Sequence, residues 1–296
     1  MQLTGTYTAL VTPFSSNEEI DMQALKALVL SQVKNGVTGL VPCGTTGESP
    51  TLTHDEHRQV IARVVEWGKG ANSDLKILAG TGSNSTKEAI ELTRAAAQDG
   101  ADMALVVNPY YNKPTQDGLR RHFGAIADAS DIPVVLYNIP GRTNVSLSIE
   151  TVIHLSQHSN IIGIKEASGD LNFMARVIGS TSADFSLMSG DDNLLLPILS
   201  LGGMGVISVI SNLYPSKTSQ ITKLYKAGDI SGATSIFYSL FPLMGAMFVE
   251  TNPIPIKHAL AYKGIIQDVL RLPLTTLSKN HRERLEKLID EVDKAL

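Results

Sequence analysis

Lys165 is the residue of this chain with the clearest potential for covalent chemistry. It follows a short apolar run, residues 161–164, and precedes a polar turn segment, residues 166–170. An isoleucine-rich run bounded by turn residues is typical of a buried parallel strand, so the amine would lie at the edge of a cavity. Partial burial disfavours the ammonium form, and a neutral amine can form a Schiff base with a ketone. The alternative is a lysine that extends to solvent at a strand end.

Two threonines lie in a turn directly after another apolar run. The segment reads Gly44-Thr45-Thr46-Gly47-Glu48. Its glycines would let the backbone approach a ligand, and its amides and hydroxyls could hold a carboxylate. The same residue types also form ordinary tight turns, so a simple turn is the alternative for Thr45 and Thr46.

Tyrosines and an arginine follow two further apolar runs. Tyr110 and Tyr111 lie in a proline-bounded loop, where they could either pack or relay protons. Tyr137 ends the predicted strand before that of Lys165, which is close enough to pass protons. Arg142 could hold a substrate carboxylate through two parallel hydrogen bonds, although a loop arginine is often only solvated.

Two pairs of potential metal ligands have weak support as metal sites. Asp191 and Asp192 follow a predicted strand, but no histidine or third carboxylate lies nearby in sequence, which favours a helix N-cap. His54 and His57 are three residues apart near a helix start, which can place both on one face. A metal site there would need more ligands than the sequence offers.

The composition bounds the class of protein. The chain has 296 residues, which fits two average domains or one large barrel, and 43% of them are hydrophobic. Its net charge is −4 and it has no Lys/Arg-rich tract, which argues against nucleic acid as the main partner. The single cysteine, Cys43, excludes an internal disulfide and a cysteine-rich metal site. The N-terminus lacks signal-peptide features, so we expect a cytoplasmic protein.

Short apolar runs alternate with helical patterns along most of the chain. The predicted strands are residues 7–11, 39–42, 76–79, 103–107, 133–137, 161–164, 185–188 and 205–209. Strands that alternate with helices imply a parallel sheet. Eight such units in roughly 210 residues predict an α/β (β/α)8 TIM barrel, whose active site lies at the C-terminal ends of the strands.

Helix signals complete the predicted architecture. Capping boxes at Thr53-His54-Asp55-Glu56 and Ser85-Thr86-Lys87-Glu88 predict two helix starts. Beyond the barrel core, residues 1–214, no clear strand appears, and residues 252–262 and 280–295 read as helices. We therefore expect residues 215–296 to form a C-terminal helical appendage that completes the barrel surface and faces other subunits.

Two competing architectures have weaker support. An open doubly wound sheet should carry a phosphate loop, but Ser85 stands at the third glycine position after Gly80-Thr81-Gly82, and Thr45 replaces the lysine after Gly44. Two uncharged stretches, 193–216 and 230–249, could suggest a membrane span. The first is broken by prolines and glycines and the second repeats its apolar residues at helical spacing, so both read better as parts of a globular fold.

Five ordered motifs together identify a family. They are Gly44-Thr45-Thr46-Gly47-Glu48-Ser49, the tyrosine loop 108–114, Tyr137-Asn138-Ile139-Pro140-Gly141-Arg142-Thr143, the lysine segment 163–170, and Glu250-Thr251-Asn252-Pro253-Ile254-Pro255-Ile256-Lys257. With them the chain resembles, over essentially its whole length, the 4-hydroxy-tetrahydrodipicolinate (dihydrodipicolinate) synthase family of the pyruvate-dependent class I aldolase superfamily. Sialic acid lyases and sugar-acid aldolases resemble it in the lysine and tyrosine motifs but generally lack the Gly-Arg-Thr segment of Arg142.

The resemblance implies an activity and a set of residue roles. The activity is the condensation of pyruvate with L-aspartate 4-semialdehyde, in lysine and diaminopimelate biosynthesis, without a metal or organic cofactor. The implied roles are a Schiff base on Lys165, a proton relay of Tyr137, Thr45 and Tyr111, and substrate binding by Thr46, Arg142, Gly190 and Ile207. In the family, the equivalent of Tyr111 reaches into the neighbouring subunit's site, which implies a dimer, usually assembled as a tetramer.

The resemblance also implies feedback inhibition by L-lysine. The residues that match the lysine-sensitive form are Ser49, His54, His57, Asn84, Glu88 and Tyr110, whereas Pro50 stands where alanine is common in that form. Polar groups of this kind suit an amino-acid zwitterion. A capped helix start is the alternative for His54, Glu88 and their neighbours.

Two other functions stay open at this point. One is a pyruvate-dependent aldolase or lyase that acts on a sugar acid such as sialic acid. The other is a catalytically silent barrel that binds a small keto acid as a sensor. Both keep the barrel and the lysine. Arg142 argues against the sugar-acid enzyme within the superfamily, whereas a covalent pyruvate adduct at Lys165 would separate an enzyme from the sensor.

Overall fold

Eight parallel strands form the framework of this chain, of which the computed structural model describes residues 2–295. The strands form a closed barrel in chain order. They are β1 (Gly5–Ala9), β2 (Gly39–Val41), β3 (Lys76–Gly80), β4 (Met103–Val107), β5 (Val134–Asn138), β6 (Ile161–Glu166), β7 (Ser186–Ser189) and β8 (Gly205–Ser208). The predicted (β/α)8 TIM barrel is confirmed, and every predicted strand is present within two residues at either end.

Helices alternate with the strands, and further helices follow β8. They are α1 (Met22–Lys34), α2 (His54–Ala71), α3 (Thr86–Gln98), α4 (Gln116–Asp128), α5 (Pro140–Thr143), α6 (Ile149–Ser156), α7 (Leu171–Ser180), α8 (Leu195–Ser200), α9 (Pro215–Lys226), α10 (Ile230–Ala246), α11 (Ile254–Tyr262) and α12 (Lys279–Ala295). Short 3-10 helices span Ser49–Thr51, Asp192–Leu194 and Ile210–Asn212. Within residues 2–295, no helix combines the length and apolar character needed to cross a bilayer.

By their internal contacts the described residues fall into two compact units. The Lys165 unit holds the residues up to Gly5 together with Lys76–Ile207. The Thr45 unit holds Thr6–Leu75 together with the chain from Ser208 onward. Each unit contains some of the candidate functional residues.

The core of the Lys165 unit lies between its strands and its helices. Leu136 of β5 and Ile164 of β6 are fully buried in the same apolar cluster as Phe123 of α4. Side chains alternate between the two faces of a strand. The next residue of each strand, Tyr137 and Lys165, therefore projects to the face opposite the helices, which in a closed barrel is the interior.

An irregularity in strand pairing sets which residues stand side by side. Val134 pairs with Ile161, but Tyr137 pairs with Lys165, because the register between β5 and β6 shifts by one residue after Val134. Such an irregularity re-aims the side chains that follow it. Without the shift, Tyr137 would pair with the residue before the lysine.

One of the two predicted capping boxes is confirmed and the other is wrong in part. The Thr53 hydroxyl accepts the Glu56 N–H, and the Glu56 carboxylate accepts the Thr53 N–H. At α3 the Ser85 hydroxyl accepts the Glu88 N–H at 3.5 Å, but the return bond is absent. The Ser85 N–H donates to the Ser83 hydroxyl at 3.0 Å, and that hydroxyl in turn donates to the Glu88 carboxylate. Ser83 thus bonds to both the Ser85 N–H and the Glu88 carboxylate, which a capping box would have joined directly.

Candidate active site

Lys165 and Tyr137 form a buried pair on neighbouring strands of the Lys165 unit. The lysine is 6% exposed and the tyrosine 5% exposed. The lysine Nζ lies 4.1 Å from the centroid of the tyrosine ring. β6 runs two residues beyond its predicted end, because Lys165 and Glu166 both continue the pairing with β5 and β7. The amine therefore projects from a strand, which fixes its stem more firmly than a loop would.

Gly190 lies directly beside the stem of Lys165. Its N–H donates to the Glu166 carbonyl at 2.7 Å. A Cβ atom added at this position would lie 2.6 Å from the Ala167 Cβ and 3.1 Å from the Lys165 Cε. Contacts this short force a shift of the neighbouring atoms. A glycine at position 190 therefore gives the lysine side chain the room that it occupies.

Asp191 interacts electrostatically with Lys165, and its side chain does not cap the helix that follows it. Burial raises the pKa of the Asp191 carboxyl, and the nearby Lys165 ammonium opposes that shift. The residue stands before the 3-10 helix Asp192–Leu194, yet its side chain makes no cap hydrogen bond. Asp191 therefore occupies the N-cap position expected for one of this pair, but without the side-chain hydrogen bond of a cap. The Ser189 hydroxyl accepts the Asp191 N–H at 3.2 Å and donates to the Asp191 carbonyl at 2.7 Å.

Arg142 and Tyr111 are exposed residues of the same unit, the first in a short helix and the second in a loop. Arg142 lies in the short helix α5, next to the buried Thr143, whose hydroxyl contacts the carbonyls of Ile139 and Val145. Tyr111 is 90% exposed and has a φ of 72°, a left-handed conformation that costs energy for a bulky residue. An aromatic side chain held outward in this way is available to a second molecule.

Three of the residues implied in lysine binding lie together. The Asn84 amide donates to the Tyr110 carbonyl at 3.2 Å, and Asn112 donates to the Asn84 carbonyl at 2.9 Å. Burial raises the pKa of the Tyr110 hydroxyl, and the negative charge of Glu88 raises it further. The structure thus brings Asn84, Glu88 and Tyr110 into one polar cluster within the Lys165 unit.

The two threonines occupy different environments in the Thr45 unit. The turn after β2 is closed by hydrogen bonds from the Gly47 N–H to the Gly44 carbonyl and from the Glu48 N–H to the Thr45 carbonyl, both at 3.1 Å. Thr45 is half-buried, whereas Thr46 is only 3% exposed and its hydroxyl accepts the Asn252 amide at 3.0 Å. Asn252 therefore orients the Thr46 hydroxyl.

A buried ion pair fixes the end of this turn. The side chains of Glu48 and Lys257 are both fully buried and bonded to each other. The Lys257 amine also donates to the Thr12 carbonyl at 3.0 Å and lies 4.3 Å from the centroid of the Phe14 ring. Burial lowers the pKa of Lys257, while the carboxylate of Glu48 opposes the shift. The second oxygen of Glu48 accepts the Arg271 N–H at 3.1 Å, so the carboxylate has donors on both oxygens.

The other residues implied in lysine binding lie at the start of α2 in the Thr45 unit. Ser49 begins the 3-10 helix Ser49–Thr51, and Pro50 is exposed. His54 is exposed but His57 is buried, so the two rings have different surroundings. In the described part of the chain, no three His, Cys, Asp or Glu side chains are grouped as a metal site requires. Ile207, in the Lys165 unit, is fully buried in β8.

Comparison with known proteins identifies the family. Residues 2–292 match the model of the dihydrodipicolinate synthetase family. The chain belongs to this family. It is 53% identical over 275 residues to the 4-hydroxy-tetrahydrodipicolinate synthase of Leptospira biflexa, covering 93% of this chain and 92% of that protein. The predicted resemblance is confirmed.

Two solved structures of the dihydrodipicolinate synthetase family carry small molecules. The chloride-inhibited dihydrodipicolinate synthase of Acinetobacter baumannii, complexed with pyruvate, matches with a TM-score of 0.96 and 41% identity, covering 99% of each chain. The enzyme of Cyanidioschyzon merolae, with lysine bound, matches with a TM-score of 0.94 and 41% identity, covering 98% of each chain.

The sequence alone did not reveal two buried residues that anchor the turn of Thr45 and Thr46. Lys257 lies in the motif at residues 250–257, but nothing in its neighbours reveals a partner 209 residues away at Glu48. Asn252 is likewise paired with Thr46 across 206 residues. One local signal was available. Lys257 stands among the apolar residues at the start of α11, which are buried, and a lysine in such a place needs a partner.

We predict that Lys257→Met lowers the free energy of unfolding by about 3–5 kcal/mol, because it leaves a buried carboxylate unpaired. Glu48→Gln combined with Lys257→Met should recover most of this loss, since neither side chain is then charged. Chemical denaturation gives the free energy of unfolding of the wild type, Lys257→Met and the double variant.

The matched control is Lys263→Met, which removes a half-exposed pair with Asp293 and should cost less than about 1 kcal/mol. A Lys257→Met variant as stable as this control would show that the buried pair contributes little.

Proposed function

We propose that this chain is a 4-hydroxy-tetrahydrodipicolinate synthase, which condenses pyruvate with L-aspartate 4-semialdehyde through a Schiff base on Lys165. The observation that carries the proposal is the buried lysine amine 4.1 Å from the ring centroid of Tyr137, in a member of the dihydrodipicolinate synthetase family. The name of the Leptospira biflexa relative and the pyruvate of the Acinetobacter baumannii structure support it.

The reaction begins when the neutral Lys165 amine adds to the ketone carbon of pyruvate. Loss of water gives an iminium, and loss of a methyl proton then gives an enamine. The enamine carbon adds to the aldehyde of the second substrate, whose oxygen takes up a proton. The substrate amine finally attacks the iminium carbon, which closes the ring and releases Lys165 as a free amine.

Proton transfers in this sequence need groups that can both give and take a proton. We assign them to Tyr137, Thr45 and Tyr111, as the family resemblance implies. The buried position of Tyr137 opposite Lys165 supports its share in the relay. Thr46 is assigned to the carboxylate of pyruvate, and Gly190 and Ile207 to the pocket lining through their backbone groups. The position of Gly190 beside the lysine stem supports its assignment.

We predict that the protein turns over pyruvate with L-aspartate 4-semialdehyde and does not cleave N-acetylneuraminate. Arg142→Lys should raise the KM for the semialdehyde about tenfold or more, because lysine cannot form the two parallel hydrogen bonds of a guanidinium. The KM for pyruvate should stay nearly unchanged. A coupled steady-state assay measures both constants.

Arg121→Lys is the control, because Arg121 is an exposed residue of α4 that pairs with Asp117 at 2.9 Å. Cleavage of N-acetylneuraminate with no turnover of the semialdehyde would favour the sugar-acid alternative. A protein that binds pyruvate but catalyses neither reaction would favour the sensor.

We further propose a homo-oligomer, a dimer of dimers, in which Tyr111 completes the site of a neighbouring subunit. The 90% exposure and left-handed backbone of Tyr111 support this, because a tyrosine that served its own subunit would have no reason to point outward. The proposal places one catalytic group of each site on another copy of the chain.

We expect Tyr111→Phe and Lys165→Ala to lose most activity as separate proteins and to regain activity when co-expressed and purified as a mixed oligomer. If Tyr111 acts across the interface, each mixed pair contains one site with an intact lysine and an intact tyrosine. If Tyr111 acts within its own subunit, no mixed pair has such a site, and the activity stays low.

We also propose feedback inhibition by L-lysine through Ser49, His54, His57, Asn84, Glu88 and Tyr110. The polar cluster of Asn84, Glu88 and Tyr110 supports it, as does the lysine bound to the Cyanidioschyzon merolae enzyme. An ammonium group of lysine would meet the Glu88 carboxylate, a charge-assisted contact.

Added L-lysine should lower the initial rate of the wild-type protein, and Glu88→Gln should weaken the inhibition about tenfold. Glu91→Gln on the same helix is the control, since Glu91 is exposed and pairs only loosely with Lys87, at 3.9 Å. Equal inhibition of both variants would contradict the assignment.

A further inference from the structure

We propose that Asn138 and Glu166 are positioning residues for this reaction, joined by a buried hydrogen bond that holds Tyr137 and Lys165 side by side and ties them to the loop of Arg142. The inference rests on the proposed function of these three residues. Neither Asn138 nor Glu166 is proposed to contact a substrate.

Each positioning residue follows a proposed reactive residue on the same strand. Asn138 follows Tyr137 on β5, Glu166 follows Lys165 on β6, and the two pair in register. Both are fully buried. Because side chains alternate along a strand, their side chains lie on the helix side while the reactive ones project to the interior. The Asn138 amide nitrogen donates to a Glu166 carboxylate oxygen at 2.8 Å, so the bond joins the two strands directly behind the reactive pair.

The Glu166 carboxylate is held by uncharged donors of Asn138 and Ser168. One oxygen accepts the Asn138 amide, and the other accepts the Ser168 N–H at 2.6 Å. Burial raises the pKa of the carboxyl, and the hydrogen bonds from Ser168 and Asn138 oppose that shift. A buried carboxyl group is costly to keep, and here both of its oxygens serve to fix backbone and strand positions.

The oxygen end of Asn138 reaches the neighbouring loops. Its Oδ1 accepts the Asn108 amide at 2.8 Å and the Leu147 N–H at 3.0 Å. The Asn108 amide also donates to the Val145 carbonyl at 3.1 Å. Asn108 begins the tyrosine loop after β4, and residues 145 and 147 lie just beyond Arg142. The network therefore spans the ends of three consecutive strands. β5 carries Tyr137, β6 carries Lys165, and the loop after β4 carries Tyr111.

The directions of these bonds are fixed, which makes the network testable by isosteric exchange. In Glu166→Gln, one acceptor oxygen becomes an NH2 donor that must face the donor of either Asn138 or Ser168. In Asn138→Asp, the NH2 donor becomes an oxygen that faces the Glu166 carboxylate. In the double variant, the new amide at position 166 donates to the new carboxylate at position 138, and every other bond keeps its donor and acceptor.

Each single variant should lower kcat about 10- to 100-fold, because a displacement of about 1 Å at a reacting group can cost that much. The double variant should recover kcat to within a few-fold of the wild type, and Glu150→Gln, an exposed exchange on α6, should change nothing. Steady-state assays with both substrates give kcat for all five proteins, and their melting temperatures show whether each one is folded.

Single variants that keep the wild-type kcat would overturn the proposal, as would a folded double variant that remains as slow as the single ones. If a single variant does not fold, the other single variant and the double variant are judged by the same criterion. An inactive wild-type protein would instead overturn the proposed function itself.

Discussion

The register between β5 and β6 determines which residues of these two strands stand side by side. A one-residue shift after Val134 places Tyr137 opposite Lys165, on the face away from the apolar cluster of Leu136 and Ile164. The same shift places Asn138 opposite Glu166 on the helix side. One feature of strand pairing thus sets both the pair proposed to react, Tyr137 and Lys165, and the polar pair behind it, because alternate residues of a strand face opposite ways.

Buried polar groups also hold loops in each of the two units. In the Lys165 unit, the Asn138 amide connects the strand ends with the segments that follow Arg142. In the Thr45 unit, the Glu48–Lys257 ion pair and the bond from Asn252 to Thr46 fix the turn after β2. Burying such groups is costly unless every one of them is paired, so their presence at the loops with proposed catalytic residues is consistent with positioning rather than simple packing.

The sequence predicted the strands, the barrel and the family, because apolar runs, turn residues and ordered motifs are local signals. It did not predict the extension of β6 through Glu166, the missing half of the second capping box or the uncapped Asp191. The missing half of the capping box depends on Ser83, which bonds to both the Ser85 N–H and the Glu88 carboxylate. The apolar start of α11 indicates that Lys257 is buried, but no local pattern identifies its partner Glu48, which lies 209 residues away. The boundary at residue 215 and the cytoplasmic location stay predictions.

Mass spectrometry after reduction with borohydride in the presence of pyruvate shows which lysine forms the Schiff base. We expect one covalent pyruvate adduct per chain, mapped to the peptide that contains Lys165 and absent from Lys165→Ala, which should keep its melting temperature. An adduct on another lysine, such as the buried Lys257, or no adduct in a protein that turns over both substrates, would contradict the assignment of Lys165.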